Sequence, residues 1–473
     1  MSPRPYLLFS KWAEQYGDVF YLKMGQADWM VLSSPEAIHD ILVKHGTTFS
    51  HRPYQEIPAE ILTKGCQGVL NANYGSGWRS RRKILSLSTS KAAVRGYMGF
   101  LTHEGRELCK VLYKESQENG PSGFSIRNIA LWHSLNVTLS VTYGTRIQSH
   151  LDPRVQQHSN STEEAFNFGI PEAYPADLLS FLWPFFGHKR REAQRFFEKE
   201  FKIQHTNFTH YLENRGKVDA GIPTTICKHL ADAIKAQEFT TLQAYILLGE
   251  TMVAGLHTTS LSLTWIVHIL ATRLDVQERV HAEMDRVIGK SRLPTITDVD
   301  DMPYFRCVLQ ECLRFRGPSQ FLLPRTNIED IEHQGVLIKK GTWIISNIHA
   351  IHGVGSRQES AEEFRPERWE TNPKTLSEEA MGKQGERESW TFGGGRRVCA
   401  GLHLAEADLY LATLHILWAF HLRAGDGETI DLDEVEDGLI NPPPHRRIQY
   451  IPRSPDIHDL LMMDDSSSPA ENL

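Results

Sequence analysis

The sequence predicts one large, mainly α-helical domain with a small β part, and three observations support this prediction. Between residues 77 and 315, long stretches repeat apolar residues with the period of a helix, whereas strand-like segments are short and few. No internal repeat or low-complexity linker divides the 473 residues. The composition, with 40% hydrophobic and 23% charged residues, is typical of a globular protein that needs no disulfide framework.

The first 50 residues are predicted to mix strand and helix. Asp18–Met24 and Trp29–Leu32 alternate in the manner of strands. Pro35 begins a short amphipathic segment that Gly46 ends, and proline in the first turn with glycine after the last favours a helix. The segment from about Gly77 to Thr241 is predicted to be mostly helical.

Leu242–Arg273 is predicted to form one very long helix. Its uncharged part, Thr251–Thr272, could span a bilayer by length, but threonine, serine and histidine interrupt it, so we expect it inside the protein. The remaining predictions are helices over Asp275–Gly289, Tyr304–Phe315 and Leu402–Phe420, strands over Gly335–Lys339, Trp343–Ser346 and Ile448–Ile451, and an irregular surface loop over Thr371–Ser389. We expect one domain over residues 1–455 and a disordered acidic tail over residues 456–473.

Composition and charge exclude several classes of function. The chain has 51 lysines and arginines and 58 aspartates and glutamates, and this net charge of −7 argues against nucleic acid as a partner. The six cysteines are sparse and form no CxxC pair, which indicates a reducing compartment and gives no zinc signature. The first residues contain no apolar run of the length that a signal peptide or membrane anchor needs.

The most informative motif is Phe392–Gly401, FGGGRRVCAG, which directly precedes a predicted helix. Its three consecutive glycines let the backbone approach a flat partner closely. Cys399 stands before the helix N-terminus, whose free N–H groups and dipole favour a thiolate, the form in which cysteine binds soft metal ions. Arg396 and Arg397 add positive charge that suits a bound anion. A buried cysteine in a glycine-rich turn is the alternative.

Weaker motifs lie elsewhere in the chain. Glu311 and Arg314 are three residues apart on one helix face, a spacing that most often gives only a solvated pair. Arg368 lies in PERW, residues 366–369. Trp78 and Arg82 place an indole N–H and a guanidinium one helical turn apart.

Residues 254–260, AGLHTTS, lie inside the predicted longest helix. Glycine within a helix costs about 1 kcal/mol relative to alanine. The presence of glycine at position 255 is therefore explained either by packing or by function.

In their order and spacing, these five motifs resemble those of the cytochrome P450 family. Residues 392–401 are similar to its heme-binding loop, residues 78–82 to its helix at the heme propionates, and residues 254–259 to its oxygen-activating helix. Glu311, Arg314 and Arg368 look like its structural Glu–Arg–Arg set. The resemblance covers roughly residues 10–453 and is greatest to fungal, microsomal-type members. It implies the cytochrome P450 fold, mainly α with a small β part and a buried heme b.

The resemblance also implies a role for each matching residue. Cys399 is expected to be the axial thiolate ligand of the heme iron, with Phe392 shielding it. Thr258 is expected to hydrogen-bond dioxygen or its water, and Gly255 and His257 are assigned to the same catalytic group. The residues expected to bind the heme, mainly through its propionates, are Trp78, Arg82, Arg325 and Arg397, together with Gly401 in the cysteine loop. The residues expected to brace the fold are Glu311, Arg314 and Arg368.

One position departs from the family pattern. His257 stands immediately before Thr258, where the family usually has aspartate or glutamate for proton delivery. Histidine can also carry protons near neutral pH, so oxygen activation can persist. Alternatively, His257 contacts the substrate, or the oxygenase chemistry is weakened and the heme serves a rearrangement or dehydration.

The function implied by the resemblance is that of a monooxygenase that acts on a small hydrophobic organic substrate in fungal secondary metabolism. Because the chain has no nucleotide-binding loop, electrons are expected from a separate NADPH-cytochrome P450 reductase, which could dock at Arg81, Arg82, Lys83 and Arg396. The substrate pocket is expected to include Ala254, Phe321, Leu322, Leu439 and Ile440. A heme-thiolate isomerase or dehydratase that needs no external electrons, and a heme-binding protein without turnover, are the alternatives.

The sequence leaves the cellular location open. In relatives, a loop placed like the apolar run Leu178–Gly187 lies on the bilayer, although core packing explains such a run equally well. We expect the protein at the cytosolic face of the endoplasmic reticulum if it has an anchor or surface contact, and in the cytoplasm otherwise.

Overall fold

The computed structural model describes residues 4–169, 175–222, 224–356, 358–383, 385–436 and 442–463. Helices dominate these residues, and three small sheets accompany them, so the predicted fold class is confirmed. In chain order the helices are α1 (Pro5–Tyr16), α2 (Pro35–His39), α3 (Ser76–Thr89), α4 (Lys91–Arg95), α5 (Met98–Asn119), α6 (Arg127–Tyr143), α7 (Pro153–Asn167), α8 (Pro175–Leu178), α9 (Gly187–Gly221), α10 (Ile226–Lys235), α11 (Thr241–Thr272), α12 (Leu274–Val287), α13 (Pro303–Phe315), α14 (Ile348–His352), α15 (Leu376–Ala380), α16 (Leu402–Ala419) and α17 (Ile457–Met462).

The strands form one four-stranded sheet and two hairpins. They are β1 (Val19–Met24), β2 (Ala27–Leu32), β3 (Arg325–Thr326), β4 (Ile331–His333), β5 (Val336–Ile338), β6 (Trp343–Ser346), β7 (Phe420–Ala424) and β8 (Ile448–Pro452). The larger sheet has the order β1-β2-β6-β3, in which β2 is antiparallel to β1 and parallel to β6. Trp29 and Trp343 lie opposite each other in this register, with stacked rings 5.7 Å apart. The short strand β3 pairs with β6 in antiparallel orientation, and this pairing places Arg325 opposite Ile344.

The long helix α11 lies at the centre of the fold. A capping box of Thr240 and Gln243 begins it, and it contacts α6, α7, α9 and α16. Within the described ranges it is the one helix apolar and long enough to cross a membrane, and 72% of its most apolar window is buried in the protein. Most of its threonine and serine hydroxyls donate to carbonyls of the same helix, as Thr264 does to Ser260 at 2.7 Å. The expectation of a helix buried in protein is confirmed.

Buried charges connect α16 to α6. His133 on α6 and Asp408 on α16 form a hydrogen-bonded pair at 2.8 Å, with side chains only 1% and 4% exposed. Burial opposes the imidazolium charge, but the adjacent Asp408 carboxylate more than compensates and raises the pKa of His133. Because α16 directly follows residues 392–401, this pair also fixes the helix from which that loop extends.

Two predictions of irregular structure are wrong. The tail predicted from residue 456 begins instead with α17, whose Ile457 and Leu461 are buried and which contacts α5. Residues 464–473 lie outside the described part. The predicted irregular loop over Thr371–Ser389 contains α15, which begins with a capping box of Thr375 and Glu378.

We expect Asp408→Asn to lower the free energy of unfolding by about 3 kcal/mol at pH 6, because a buried imidazolium loses its counter-charge. The raised pKa of His133 means that the pair contributes fully below the unfolded-state pKa of 6.5 and is lost as pH rises through the folded-state pKa. The difference between variant and wild type should therefore shrink from pH 6 to pH 9 in chemical denaturation.

The control is Glu107→Gln, which removes a pair with Lys110 whose side chains are 24% and 27% exposed, and should cost less than about 1 kcal/mol. Equal losses in the two variants, or a difference that does not depend on pH, would contradict the prediction.

Candidate active site

The cysteine loop, residues 392–401, turns sharply before α16. Gly393 and Gly395 have φ angles of +66° and +62°, a left-handed conformation that glycine adopts without strain. A Cβ on Gly395 would also clash with the Leu42 carbonyl oxygen, so this glycine lets the loop lie against the segment after α2. The Cys399 N–H donates to the Phe392 carbonyl at 2.9 Å, which closes the loop.

The Cys399 side chain faces an internal space. It has free surface although protein atoms surround it closely. Burial raises the pKa of its thiol, whereas the Gly401 N–H and the Arg82 charge act in the opposite direction. The N–H of Gly401, at the N-terminus of α16, thus lowers the pKa of Cys399 as predicted, but burial raises this pKa by more. A cation bound at the sulfur would supply the remaining stabilisation of the thiolate.

Two of the predicted arginines bind the cysteine loop directly. Arg82 of α3 donates to the Val398 carbonyl at 2.6 Å. Arg325 of β3 donates to the Gly394 carbonyl at 2.7 Å. Both guanidinium groups are thereby held next to the loop that carries Cys399.

Arg397 and Trp78 bind the chain before α3. Arg397 donates to the carbonyls of Ser50 and Val69, both at 2.9 Å, and to that of Ala72. The Trp78 indole N–H donates to the same Val69 carbonyl at 3.2 Å. The structure therefore brings together all four residues that were predicted to hold the propionates.

Arg52 belongs to the same set, although no sequence motif marks it. Its Nε donates to the Leu70 carbonyl at 2.7 Å, and its Nη1 donates to the carbonyls of Leu323 and Pro324 at 2.7 and 2.6 Å. A single arginine in an irregular segment carries no spacing signal, so only the folded chain reveals its place.

These guanidinium groups repel one another. Burial first, and neighbouring arginine charges second, lower the pKa of Arg52, Arg325 and Arg397. Because guanidinium does not lose its proton in proteins, the cost persists until an anion binds. The Nη1 of Arg325 is buried without a hydrogen-bond partner. Donors of this kind fit a group with two carboxylates, such as heme b, placed beside a cysteine ligand.

One face of α11 borders this region. Glu250 accepts the Val69 N–H at 2.5 Å, and the Val69 carbonyl binds Arg397. One turn later Ala254 is exposed in the middle of this mostly buried helix, and Thr258 follows after another turn. Thr258 donates its hydroxyl proton to the Ala254 carbonyl at 2.7 Å, so its oxygen is left to act as an acceptor.

A family-level sequence model described as Cytochrome P450 matches residues 2–450. The chain belongs to the cytochrome P450 family. This P450 is 29% identical over 467 residues to cytochrome P450 monooxygenase virE of Hypocrea virens, a match that covers 95% of this chain and 82% of the relative. It is 26% identical over 439 residues to cytochrome P450 monooxygenase patH of Aspergillus clavatus, covering 91% and 81%.

Solved structures agree on the fold of this P450. A zebra fish cytochrome P450 solved with progesterone has a TM-score of 0.78 and 24% identity, and the match covers 95% of this chain and 99% of that one. The predicted fold, enzyme class and cofactor are confirmed: the chain is a heme-thiolate monooxygenase with heme b as its cofactor. The alternative of an isomerase or dehydratase is not favoured.

The buried Glu311 carboxylate gathers the residues predicted to brace this P450. It accepts two hydrogen bonds from Arg314 at 2.8 Å and one from Arg368 at 3.0 Å. The Trp369 indole and the Arg365 backbone N–H also donate to it, at 2.9 and 2.8 Å. Five donors around one buried carboxylate join α13 to the PERW segment, and a bracing role stays our prediction for these residues.

His257 points away from the internal space. Its Nε2–H donates to the Ser159 carbonyl of α7 at 3.2 Å, and its ring lies 6.3 Å from that of Phe166. Consecutive helical residues diverge by about 100°, so His257 faces α7 while Thr258 does not. Burial lowers the pKa of His257. This position does not support the predicted roles in proton delivery or substrate contact, and His257 packs α7 against α11.

Gly255 has a packing reason rather than the catalytic one predicted. A Cβ at this position would lie 2.7 Å from Oγ1 and 3.0 Å from Cγ2 of Thr138 on α6. The Thr138 hydroxyl is itself fixed to the Ser134 carbonyl at 2.8 Å. Glycine therefore lets α6 and α11 cross at close range.

The predicted pocket residues Phe321 and Leu322 pack elsewhere. The Phe321 ring meets that of Phe9 on α1 at 5.8 Å. Leu322 packs against a buried cluster that includes residues of α2 and β6. Leu323, the next residue, is 45% exposed and provides the free apolar surface of this segment. The predicted pocket residues Leu439 and Ile440 lie outside the described residues.

Gly255→Ala should lower the free energy of unfolding by about 1–3 kcal/mol, because overpacking against Thr138 exceeds the gain of about 1 kcal/mol in helix propensity. In a Thr138→Ala background the same change should be neutral or stabilising, since the obstructing atoms are gone. Chemical denaturation of the four proteins measures this coupling. Thr138→Ser, which keeps Oγ, should relieve the clash only in part, and equal effects of Gly255→Ala in all backgrounds would contradict the packing explanation.

Proposed function

We propose that this P450 oxidises a small hydrophobic organic substrate in fungal secondary metabolism, with electrons from a separate NADPH-cytochrome P450 reductase. One observation carries the proposal: the cysteine of a glycine-rich loop lies beside arginines whose guanidinium groups donate to backbone carbonyls. This set suits a cofactor held by one thiolate and two carboxylates. Similarity to fungal proteins named as monooxygenases supports the metabolic setting.

Heme b, when bound, supplies the activation of O2, and the residues of the chain hold it and control its surroundings. Cys399 would provide the thiolate ligand of the heme iron, closed off by Phe392 in the same loop. The residues proposed to bind the two propionates are Arg52, Trp78, Arg82, Arg325 and Arg397. Because hydrogen bonds to backbone carbonyls already fix all five of these side chains, binding needs little reorganisation.

Thr258 is the residue proposed to hold a proton donor in the internal space. Its own proton is committed to the Ala254 carbonyl, so its oxygen accepts a hydrogen bond from water or from a substrate hydroxyl. Because His257 is hydrogen-bonded to α7, proton delivery is proposed to depend on Thr258 and water.

The substrate is proposed to be apolar because of the α11 face beside Thr258. Ala254 leaves room there, and no charged residue lies between Thr251 and Thr272. Leu323 adds apolar surface from the segment before β3. Burial of apolar substrate surface against such residues supplies most of the binding free energy in a pocket of this kind.

The reductase is proposed to dock on a basic surface near the cysteine loop. Arg79, Lys83 and Arg396 are exposed and form this surface. Arg81 and Arg82 were predicted to contribute, but they donate to the carbonyls of Cys66 and Val398 and point inward. The docking surface is therefore smaller than the sequence predicts.

A peripheral contact with the endoplasmic reticulum membrane is proposed for residues 180–186. Phe181 and Phe185 are 63% and 75% exposed, whereas Trp183 between them is buried. The Gln26 N–H at the β1–β2 turn donates to the Leu178 carbonyl at 2.8 Å, which holds this segment beside the sheet. Without such a contact the protein would be cytoplasmic.

Reduction of purified protein with dithionite under carbon monoxide should give the red-shifted Soret band of thiolate-ligated heme. Cys399→Ala should abolish this band, and Cys307→Ala, which changes a buried cysteine on α13, should retain it. A wild-type band at the wavelength of neutral-ligand heme would contradict Cys399 as the ligand. Product formation that does not depend on added reductase would contradict the proposed electron source.

Arg325→Gln should accelerate heme loss by about tenfold to a hundredfold, because a charge-assisted hydrogen bond of about 1.5–3 kcal/mol is removed. Transfer of heme to an acceptor apoprotein, followed by absorbance, measures the rate. Arg279→Gln, which alters exposed ion pairs with Glu367 and Glu370, is the control and should leave the rate unchanged. An unchanged rate in Arg325→Gln would contradict a propionate contact.

A further inference from the structure

Glu250 is a carboxylate that the proposed mechanism does not use. It lies on α11 one turn before Ala254, and its side chain is partly buried. It accepts the Val69 N–H at 2.5 Å and the Leu70 N–H at 3.3 Å. Two consecutive backbone N–H groups thus converge on one side chain 180 residues later in the sequence.

Gly68 makes this contact possible. A Cβ at position 68 would overlap the Glu250 carboxylate, since all of its nearest neighbours are atoms of that group. Its φ angle lies outside the left-handed region, so alanine at position 68 would conflict with the Glu250 carboxylate and not with the backbone conformation. The glycine and the glutamate therefore form one steric unit.

The segment held by Glu250 orients the donors of the proposed propionate site. The Val69 carbonyl accepts from Trp78 and from Arg397. The Leu70 carbonyl accepts from Arg52. Val69 and Leu70 therefore each donate their N–H to Glu250 and accept, at their carbonyl, a hydrogen bond from a side chain that is proposed to bind a propionate.

Glu250 is also the counter-charge of these donors. Its charge raises the pKa of Arg52, Arg81 and Arg397, against the larger effect of burial. Burial raises the pKa of Glu250 itself to about 7, although the two N–H groups and the charges of Arg81 and Arg397 act in the opposite direction. The carboxylate is thus costly to keep buried, and its contacts offset that cost.

We propose that Glu250 is a positioning residue that couples the substrate-side helix α11 to the heme periphery, by fixing residues 68–70 and through them Trp78, Arg397 and Arg52. The proposal rests on the proposed propionate site. It assigns no catalytic step to Glu250. It makes the arrangement of the propionate donors depend on a residue one turn from the substrate face.

A double-mutant cycle tests the contact itself. Glu250→Ala should speed amide hydrogen exchange at Val69 and Leu70 by about tenfold or more, because charge-assisted bonds are lost. Gly68→Ala should do the same by displacing the carboxylate. In the Glu250→Ala background, Gly68→Ala should add little, since the space is then free. Additive effects, or unchanged exchange in folded Glu250→Ala, would overturn the proposal.

The heme midpoint potential tests the coupling to the cofactor. Glu250→Gln keeps the size of the side chain and removes its charge, so the ferrous state should become easier to form and the potential should shift in the positive direction. The control Glu278→Gln changes an exposed residue of α12 and should leave the potential unchanged. An unchanged potential in Glu250→Gln would overturn the coupling, and this variant also replaces Glu250→Ala if the latter does not fold.

Failure of the proposed propionate site can be distinguished from failure of the Glu250 proposal. If Arg325→Gln and wild type lose heme at equal rates, the propionate assignment fails, while the exchange results at Val69 and Leu70 still report the Glu250 contact.

Discussion

Buried guanidinium groups around a single cysteine are the constraint on which the rest of this structure depends. Each such group must find hydrogen-bond acceptors, because an unpaired buried charge costs several kcal/mol. Backbone carbonyls from the cysteine loop and from residues 50–72 provide most of them. The hydrogen bonds that offset the cost of burying these guanidinium groups therefore also join the two segments to each other. The arginines hold the site together before any anion binds.

The helix α11 serves several neighbours at once, because successive residues point in different directions. Gly255 admits α6, His257 binds α7, and Glu250 holds residues 68–70, while Ala254 and Thr258 are left to face the internal space. A helix with so many fixed contacts cannot rotate or shift without breaking several of them. Its rigidity gives the substrate face a defined distance from the cysteine loop.

Short motifs in the sequence, through their resemblance to a known family, were sufficient for the fold class, the cysteine loop and the Glu311–Arg314 pair, because each motif lies within one helix or one turn. The same resemblance pointed to Arg368 and to Trp78, Arg82, Arg325 and Arg397. Short motifs could not reveal Arg52 or the pairing of Gly68 with Glu250, whose partners are far away in the chain. The direction of His257, the packing of Phe321 and the docking of α17 on α5 likewise depend on which neighbour each face meets, and no short segment contains that information.

The propionate-binding set also has a consequence for biosynthesis. Its members come from residues 52–82, from β3 and from the cysteine loop, and the Arg82–Val398 bond alone joins residues 316 positions apart. A nascent chain therefore presents the first arginines long before Val398 and Cys399 emerge from the ribosome. A nascent chain shorter than 399 residues lacks Cys399 and therefore cannot hold both the ligand and the full set of donors. Capture of heme thus follows synthesis of most of the fold, and a chain that has taken up heme has already brought these three distant segments together.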